Sequence, residues 1–349
     1  MSRQRSYSPM TCQNPTCDYF LIEEGKDLVK NGRNSAGNQQ YFCKHCRTYF
    51  IETKNTPLYY SHLEQKQVEL IGRLSQEKIS MRGASRVTGH HPATVARYYR
   101  LIGEHANLLT SSFLQDLGPE RIEMDEFWAF IQKNYTMPTG PQAYRMKRSW
   151  AIFIRKNKHC EGLKDRYRGD WWTYTAVRSA TGLMIAHHAG KRTDATCAQF
   201  NFLVFSRLKV PEQPTRISIM TDGNPQYLTA LTKQCKEIDI DYGRVIKQHE
   251  ANRLVAVIRE KVLGNPTLAS ISTSVVEGYN NKIRQRISRF VRKTASFSKT
   301  IMGHVRAMDR ILFANNFFDV KEGVTPAMQE GITDRVWTWP EFLTYHYQL

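Results

Sequence analysis

The sequence predicts a mixed α/β protein in which a small cysteine-bearing ribbon and a group of helices precede a larger, strand-rich region. Three observations predict it. Two cysteine pairs stand near the N-terminus, Cys12 with Cys17 and Cys43 with Cys46. Apolar residues then recur at helical spacing over residues 64 to about 107. From about residue 119 short runs rich in β-branched and aromatic residues take over. Two acids, Asp125 and Asp222, fall in those runs, and a third, Glu277, opens a later helical, basic segment.

Length and charge bound the partners. The 349 residues suffice for two or three domains and a sizeable core. Lys and Arg number 50 against 32 Asp and Glu, a net charge of +18. Such an excess points to a polyanion, with nucleic acid the expected partner, because neutralised phosphates release counterions. No run approaches the roughly 18 apolar residues of a membrane span, and no membrane partner is expected. The opening Met-Ser-Arg-Gln-Arg-Ser-Tyr has no apolar stretch behind its charges, so a cytoplasmic location is expected. Seven cysteines, an odd number, fit that compartment better than a disulfide framework.

Cys12, Cys17, Cys43 and Cys46 read as the four thiolates of one structural zinc ion in a ribbon spanning residues 1–60. The second pair, Cys43-Lys-His-Cys46, has the tight two-residue knuckle that tetrahedral zinc favours. The segment between the pairs predicts two short strands around a glycine turn, too small to fold without a metal. His45, inside the knuckle, is expected outside the ligand set.

Residues 61–112 predict three helices. The first runs from Glu64 to Leu74 and the second from Ser80 to Val87. Gly89 then turns the chain, and Pro92 stands at a first helical position of the third. A helix, a glycine turn and a helix flanked by Arg97 and Arg100 match a helix-turn-helix, whose second helix enters the major groove. An ordinary three-helix bundle has the same spacing.

The strand-rich region spans residues 118–318. Arg121 to Ile131 is its first strand. Trp172 to Arg178 and Leu183 to Ala189 form a hairpin, Asp194 to Leu208 a helix, and Arg216 to Thr221 a further strand ended by Asp222-Gly-Asn-Pro. Three antiparallel strands, a helix and another strand is the order of a ribonuclease H-like sheet. Two insertions interrupt it: a basic one over 131–170 and one over 233–273 that looks helical. Residues 319–349 form a C-terminal tail. From Glu277, apolar residues Val276, Tyr279, Ile283, Ile287 and Phe290 recur at helical spacing, with Glu277, Asn281, Arg284 and Ser288 on an adjacent polar face. Lys282, Arg284, Arg286, Arg289, Arg292, Lys293 and Lys299 follow with no acid between Gly278 and Arg306, a tract suited to a DNA backbone.

The stretch from Val276 to Thr300 closely resembles the C-terminal signature of transposases of the insertion sequence one family. Met-Asp-Glu-Phe-Trp, Gly-Lys-Arg-Thr, Met-Thr-Asp-Gly-Asn-Pro-Gln-Tyr and the segment from Val29 to Arg47 resemble that family's other blocks, in the same order. The resemblance implies a zinc ribbon, a helix-turn-helix and a ribonuclease H-like DDE catalytic domain whose triad falls on Asp125, Asp222 and Glu277. It also implies that Asp125 bridges two magnesium or manganese ions while Asp222 and Glu277 each complete one shell. Cleavage of element ends and strand transfer into target DNA is the expected activity, by a homodimer or higher oligomer on double-stranded DNA. Both insertions depart from the family's compact members.

Other acids compete for the site. Strand alternation puts Glu123 on the face of Asp125 and Glu126 on the other, which casts Glu123 as a support for the site and Glu126 as a structural or surface residue. Two other readings share these features. One is a DNA-binding regulator with an inactive nuclease-like domain, and the other a nuclease without strand transfer.

Overall fold

A computed structural model describes residues 10–22, 28–35, 37–131, 169–209, 216–234, 239–251, 253–292, 294 and 296–346. The chain divides into two compact units, Met1–Leu114 with Phe313–Leu349, and Gln115–Leu312.

In the first unit, β1 (Leu28–Arg33), β2 (Gln39–Cys43) and β3 (Tyr49–Ile51) form an antiparallel sheet in that order. The third strand goes beyond the two expected. Helices α1 (Gln65–Leu74), α2 (Met81–Thr88) and α3 (Pro92–Phe113) follow. Glu64 and Gln67 close a capping box at the start of α1, which buries Val68 and Ile71. The Ser80 hydroxyl accepts from the Gly83 N–H and starts α2, and Gly89, at φ +72°, ends it in the left-handed region that a glycine adopts without strain. The His91 ring then caps α3, with Pro92 in its first turn. The third helix extends past the expected 107 because Leu109 and Thr110 are buried as well.

Residues 319–349, expected as a tail, fold with this unit. Helices α8 (Pro326–Gln329) and α9 (Trp339–Thr344) lie within them, and Trp337, Trp339, Phe342 and Leu343 are buried. Phe113 meets the rings of Phe317 and Trp337 at centroid distances of 5.5 and 5.3 Å. So many large aromatic groups cost too much in water to be left there.

The second unit is built on a six-stranded sheet. Its strands are β4 (Ile122–Ile131), β5 (Gly169–Arg178), β6 (Met184–Gly190), β7 (Ile217–Asp222), β8 (Ile240–Glu250) and β9 (Arg253–Leu263), in the order β6-β5-β4-β7-β8-β9. Pairs β4–β5, β5–β6 and β8–β9 are antiparallel, whereas β7 lies parallel to both β4 and β8. Helix α4 (Asp194–Phe205), capped by the Thr193 hydroxyl, joins β6 towards β7, and α5 (Pro225–Gln234) follows β7. Helix α6 (Ser274–Arg286) and helix α7 (Ile301–Phe317) come last, and the boundary between the units falls within α7.

The insertion over 233–273 is a correction to the helical expectation. After the end of α5 it forms the hairpin β8–β9 and a short 3₁₀ turn at Leu268–Ser270. Its density of β-branched residues (Ile240, Val245, Ile246, Val255, Val257, Ile258, Val262) favours a pleated surface, and β8 extends the sheet beside β7. Residues 132–168 of the other insertion lie outside the described residues. Ile131 pairs with Gly169, so that insertion leaves and rejoins the sheet on one rung.

Strand β4 is buried on both faces, as a central strand flanked by helices should be. Among the described residues β9 pairs only with β8, and Leu254, Val255, Val257 and Ile258 on it are exposed. No helix among the described residues is long and apolar enough to cross a membrane.

Candidate functional site

Two clusters of metal-ligating side chains stand out, one in each unit. In the first, the sulfurs of Cys12, Cys17, Cys43 and Cys46 all lie within 4.8 Å of one another. Cys12 and Cys46 are 3.7 Å apart, and Cys17 and Cys43 4.0 Å. Four thiolates at about 2.3 Å from a tetrahedral centre would have sulfurs about 3.8 Å apart, so the donor set fits one structural metal ion. Cys43 ends β2, and its N–H donates to the Thr48 carbonyl at 3.0 Å, which folds the knuckle and brings Cys46 back. Burial pushes the Cys12 and Cys17 thiols up. Burial acts on Cys46 too, but hydrogen bonds from Thr48 and Asn14 outweigh it and bring that thiol down to about 6. His45 flanks the cluster with Nδ1 3.7 Å from the Cys17 sulfur and its ring against Tyr19.

The second cluster lies in the sheet. One carboxylate oxygen each from Asp125, Glu126 and Asp222 falls within the same 4.8 Å limit. Asp125 sits in β4 and Asp222 is the last residue of β7, the neighbouring parallel strand. The Asp125 carboxylate is oriented by two donors: the Glu126 N–H and the Asn280 amide, each at 2.8 Å. Asn280 in turn accepts from the Thr175 hydroxyl of β5 at 2.9 Å. Asp222 accepts from the Asn224 N–H at 3.1 Å. Glu126 Oε1 accepts from Arg192 at 2.7 Å and from the Asn224 amide at 3.0 Å.

Glu126 corrects the expectation of a structural or surface residue. Alternation does place it on the other face of β4 from Asp125. The last β4–β7 pair is Met124 with Thr221, however, so Asp125 and Glu126 stand at and beyond the end of β7. With no strand between the two faces there, their carboxylates converge. Burial first, and the neighbouring Asp222 next, raise both Asp125 and Glu126 to about 7. Asp222 is also raised, chiefly by burial.

Glu277 stands apart from this group. It lies in the first turn of α6, ion-paired to Lys247 Nζ at 2.5 Å and bonded to the Thr273 hydroxyl at 2.6 Å. It is close enough to raise Asp125 and Asp222 electrostatically. Lys247 belongs to β8, in the segment the sequence suggested as helix, so no pairing was visible from the sequence. Thr273, its hydroxyl committed to Glu277, does not cap α6. Glu123 does so from β4: its Oε2 accepts from the N–H groups of Val275 and Val276 at 2.8 and 3.1 Å. Glu123 is fully buried and shares the α6-facing side of β4 with Asp125, as alternation indicates.

The basic residues are more committed than a free DNA surface would be. Arg97 donates to the Tyr60 carbonyl at 3.3 Å, and Arg100 is paired with Glu104 at 2.8 Å. Arg284 lies over the Phe127 ring at 5.2 Å, and burial pulls its guanidinium down while Asp125 holds it up. Arg289 donates to the Gly303 carbonyl at 2.5 Å. Lys282 and Lys299 lie over the rings of Tyr279 and Phe297. Arg286 is half-buried in the last turn of α6, Arg292 is exposed, and Lys293 lies outside the described residues.

Four site residues escaped the sequence. Asn280, rather than the exposed Asn281, faces Asp125, and Arg192, Asn224 and Lys247 each hold a carboxylate. Arg192 and Asn224 lie in two of the motif blocks, next to Thr193 and Asp222, and that proximity was the available signal. No protein-family model matches the chain, and the comparison with curated proteins found no match.

Proposed function

We propose that the chain is a DNA transposase that cleaves element ends and joins them to target DNA. The observation that carries this is the convergence of Asp125 and Asp222, from adjacent strands of a buried sheet, in a chain of net charge +18. Three antiparallel strands followed by two parallel ones support a ribonuclease H-like reading of that sheet. The Ser80-capped α2, the Gly89 turn and α3 support a helix-turn-helix reading, with the exposed start of α3 at the DNA. The four thiolates suit zinc, and the hard carboxylate oxygens suit magnesium or manganese.

Two divalent ions there would supply the charge that activates a water or 3′-hydroxyl and stabilises the leaving oxygen. The chain's own residues do the positioning. Asn280 and the Glu126 N–H hold Asp125 in one orientation, and Asn224 does the same for Asp222. Arg284, lying near Asp125 and partly removed from water, is placed to meet a phosphate. Glu277 would join the site once its Lys247 pair opens.

The test uses full-length protein, magnesium, duplexes carrying pre-cut ends of its element and a plasmid target. Joined product is expected, and Asp125→Asn should reduce cleavage and joining to background while end binding persists. Cleavage without joining would identify a nuclease, and binding without either a regulator. Magnesium-dependent cutting that survives in D125N overturns the assignment.

A further inference from the structure

We infer that Glu126 is a direct ligand of the first divalent cation at this site, completing an Asp125–Glu126–Asp222 set from which Glu277 is absent. The inference rests on the reading of the cluster as a metal centre and names a ligand outside the expected triad. Three features carry it. Glu126 is only 8% exposed, and among the described residues its Oε2 has no hydrogen-bond partner. A buried carboxylate oxygen left without a partner loses its hydration and gains nothing in return. Its other oxygen is fully engaged, by Arg192 and Asn224, which fixes the carboxylate plane. One oxygen anchored and one free is the arrangement of a ligand held ready by its surroundings.

The contrast with Glu277 decides which acid comes first. Glu277 Oε1 receives both the Lys247 ammonium and the Thr273 hydroxyl, so its charge already has a counter-charge. Among the described residues the buried trio has one direct ion-pair partner, Arg192, while Lys247 and Arg284 act on it from farther away. A divalent cation adds positive charge directly at the trio and takes the hard oxygen ligands it prefers. Asn224 ties the set together, since its backbone N–H holds Asp222 while its amide holds Glu126.

The experiment is a manganese titration of full-length protein followed by the electron paramagnetic resonance of free Mn2+, with the cysteine cluster metal-loaded. The pH is held at about 8 throughout. Glu126→Gln should weaken the tightest Mn2+ site by about tenfold or more, and Glu277→Gln should leave it unchanged within about twofold. Glu126→Asp, which withdraws the oxygen by one methylene, gives the same comparison should E126Q fail to fold. Wild-type Mn2+ binding in the folded Glu126 variant overturns the inference, as does an equal loss in E277Q. Retained Mn2+ binding without strand transfer would sink the transposase reading alone, and strand transfer with Glu126-independent binding would sink only this one.

Discussion

Asp125 and Glu126, both raised to about 7, ionise in a range where an unfolded chain would long since have lost those protons. Free carboxyls titrate near about 4, so between that value and about 7 the folded protein binds protons that the unfolded chain releases. Stability contributed this way is largest on the acid side and is lost as pH rises through the folded-state values. Cation-free wild type should therefore lose melting temperature relative to D125N as pH rises from about 5 to about 8, the buried histidines His105 and His304, whose lowered values act in the opposite direction, being common to both proteins. Magnesium should raise the wild-type melting temperature more at the upper end, where the carboxylates are charged. Calorimetry of both proteins across that window checks this; a difference between wild type and D125N that does not change with pH would contradict it.

Among the elements, α6 takes its starting point from another strand. Its own cap residue, Thr273, is turned to Glu277, and Glu123 of β4 receives the first N–H groups in its place. Glu123→Ala strands one buried and one half-buried donor and should lower the unfolding free energy by about 2 kcal/mol, measured by urea denaturation. A wild-type midpoint would show that the cap contributes nothing. Caps and periodicity made much of this legible: Ser80, Gly89 and Pro92 bracketed α2 and α3, and alternation put Glu123 and Asp125 on one face. The β8–β9 hairpin was misread because its charges, Arg244, Lys247, Arg253, Arg259, Glu260 and Lys261, interrupt the apolar alternation and suggest a solvated helix. Glu126 was misread for a different reason. Alternation assigns faces within a sheet and is silent about where a neighbouring strand stops.

At the scale of the whole molecule, nothing in the sequence signals that residues 319–349 belong with the N-terminal segment. Trp337, Trp339 and Phe342 marked apolar weight, but which surface would receive it is a matter of tertiary contact. The candidate centres were more visible, since metals demand residue types that sequence displays directly. All four cysteines and two of the three clustered acids were identified. The sheet itself ends in β9, eleven residues long, with Leu254, Val255, Val257 and Ile258 exposed and no further strand beside it among the described residues. An edge of this kind is a template on which another extended chain can grow. Purified protein should therefore self-associate increasingly with concentration, and Val257→Lys should reduce that association in sedimentation velocity without changing the fold. Unchanged sedimentation would show the margin to be inert. Among the described residues the sheet stops at β9, and its growth past that border is set by what meets it rather than by anything inside the fold.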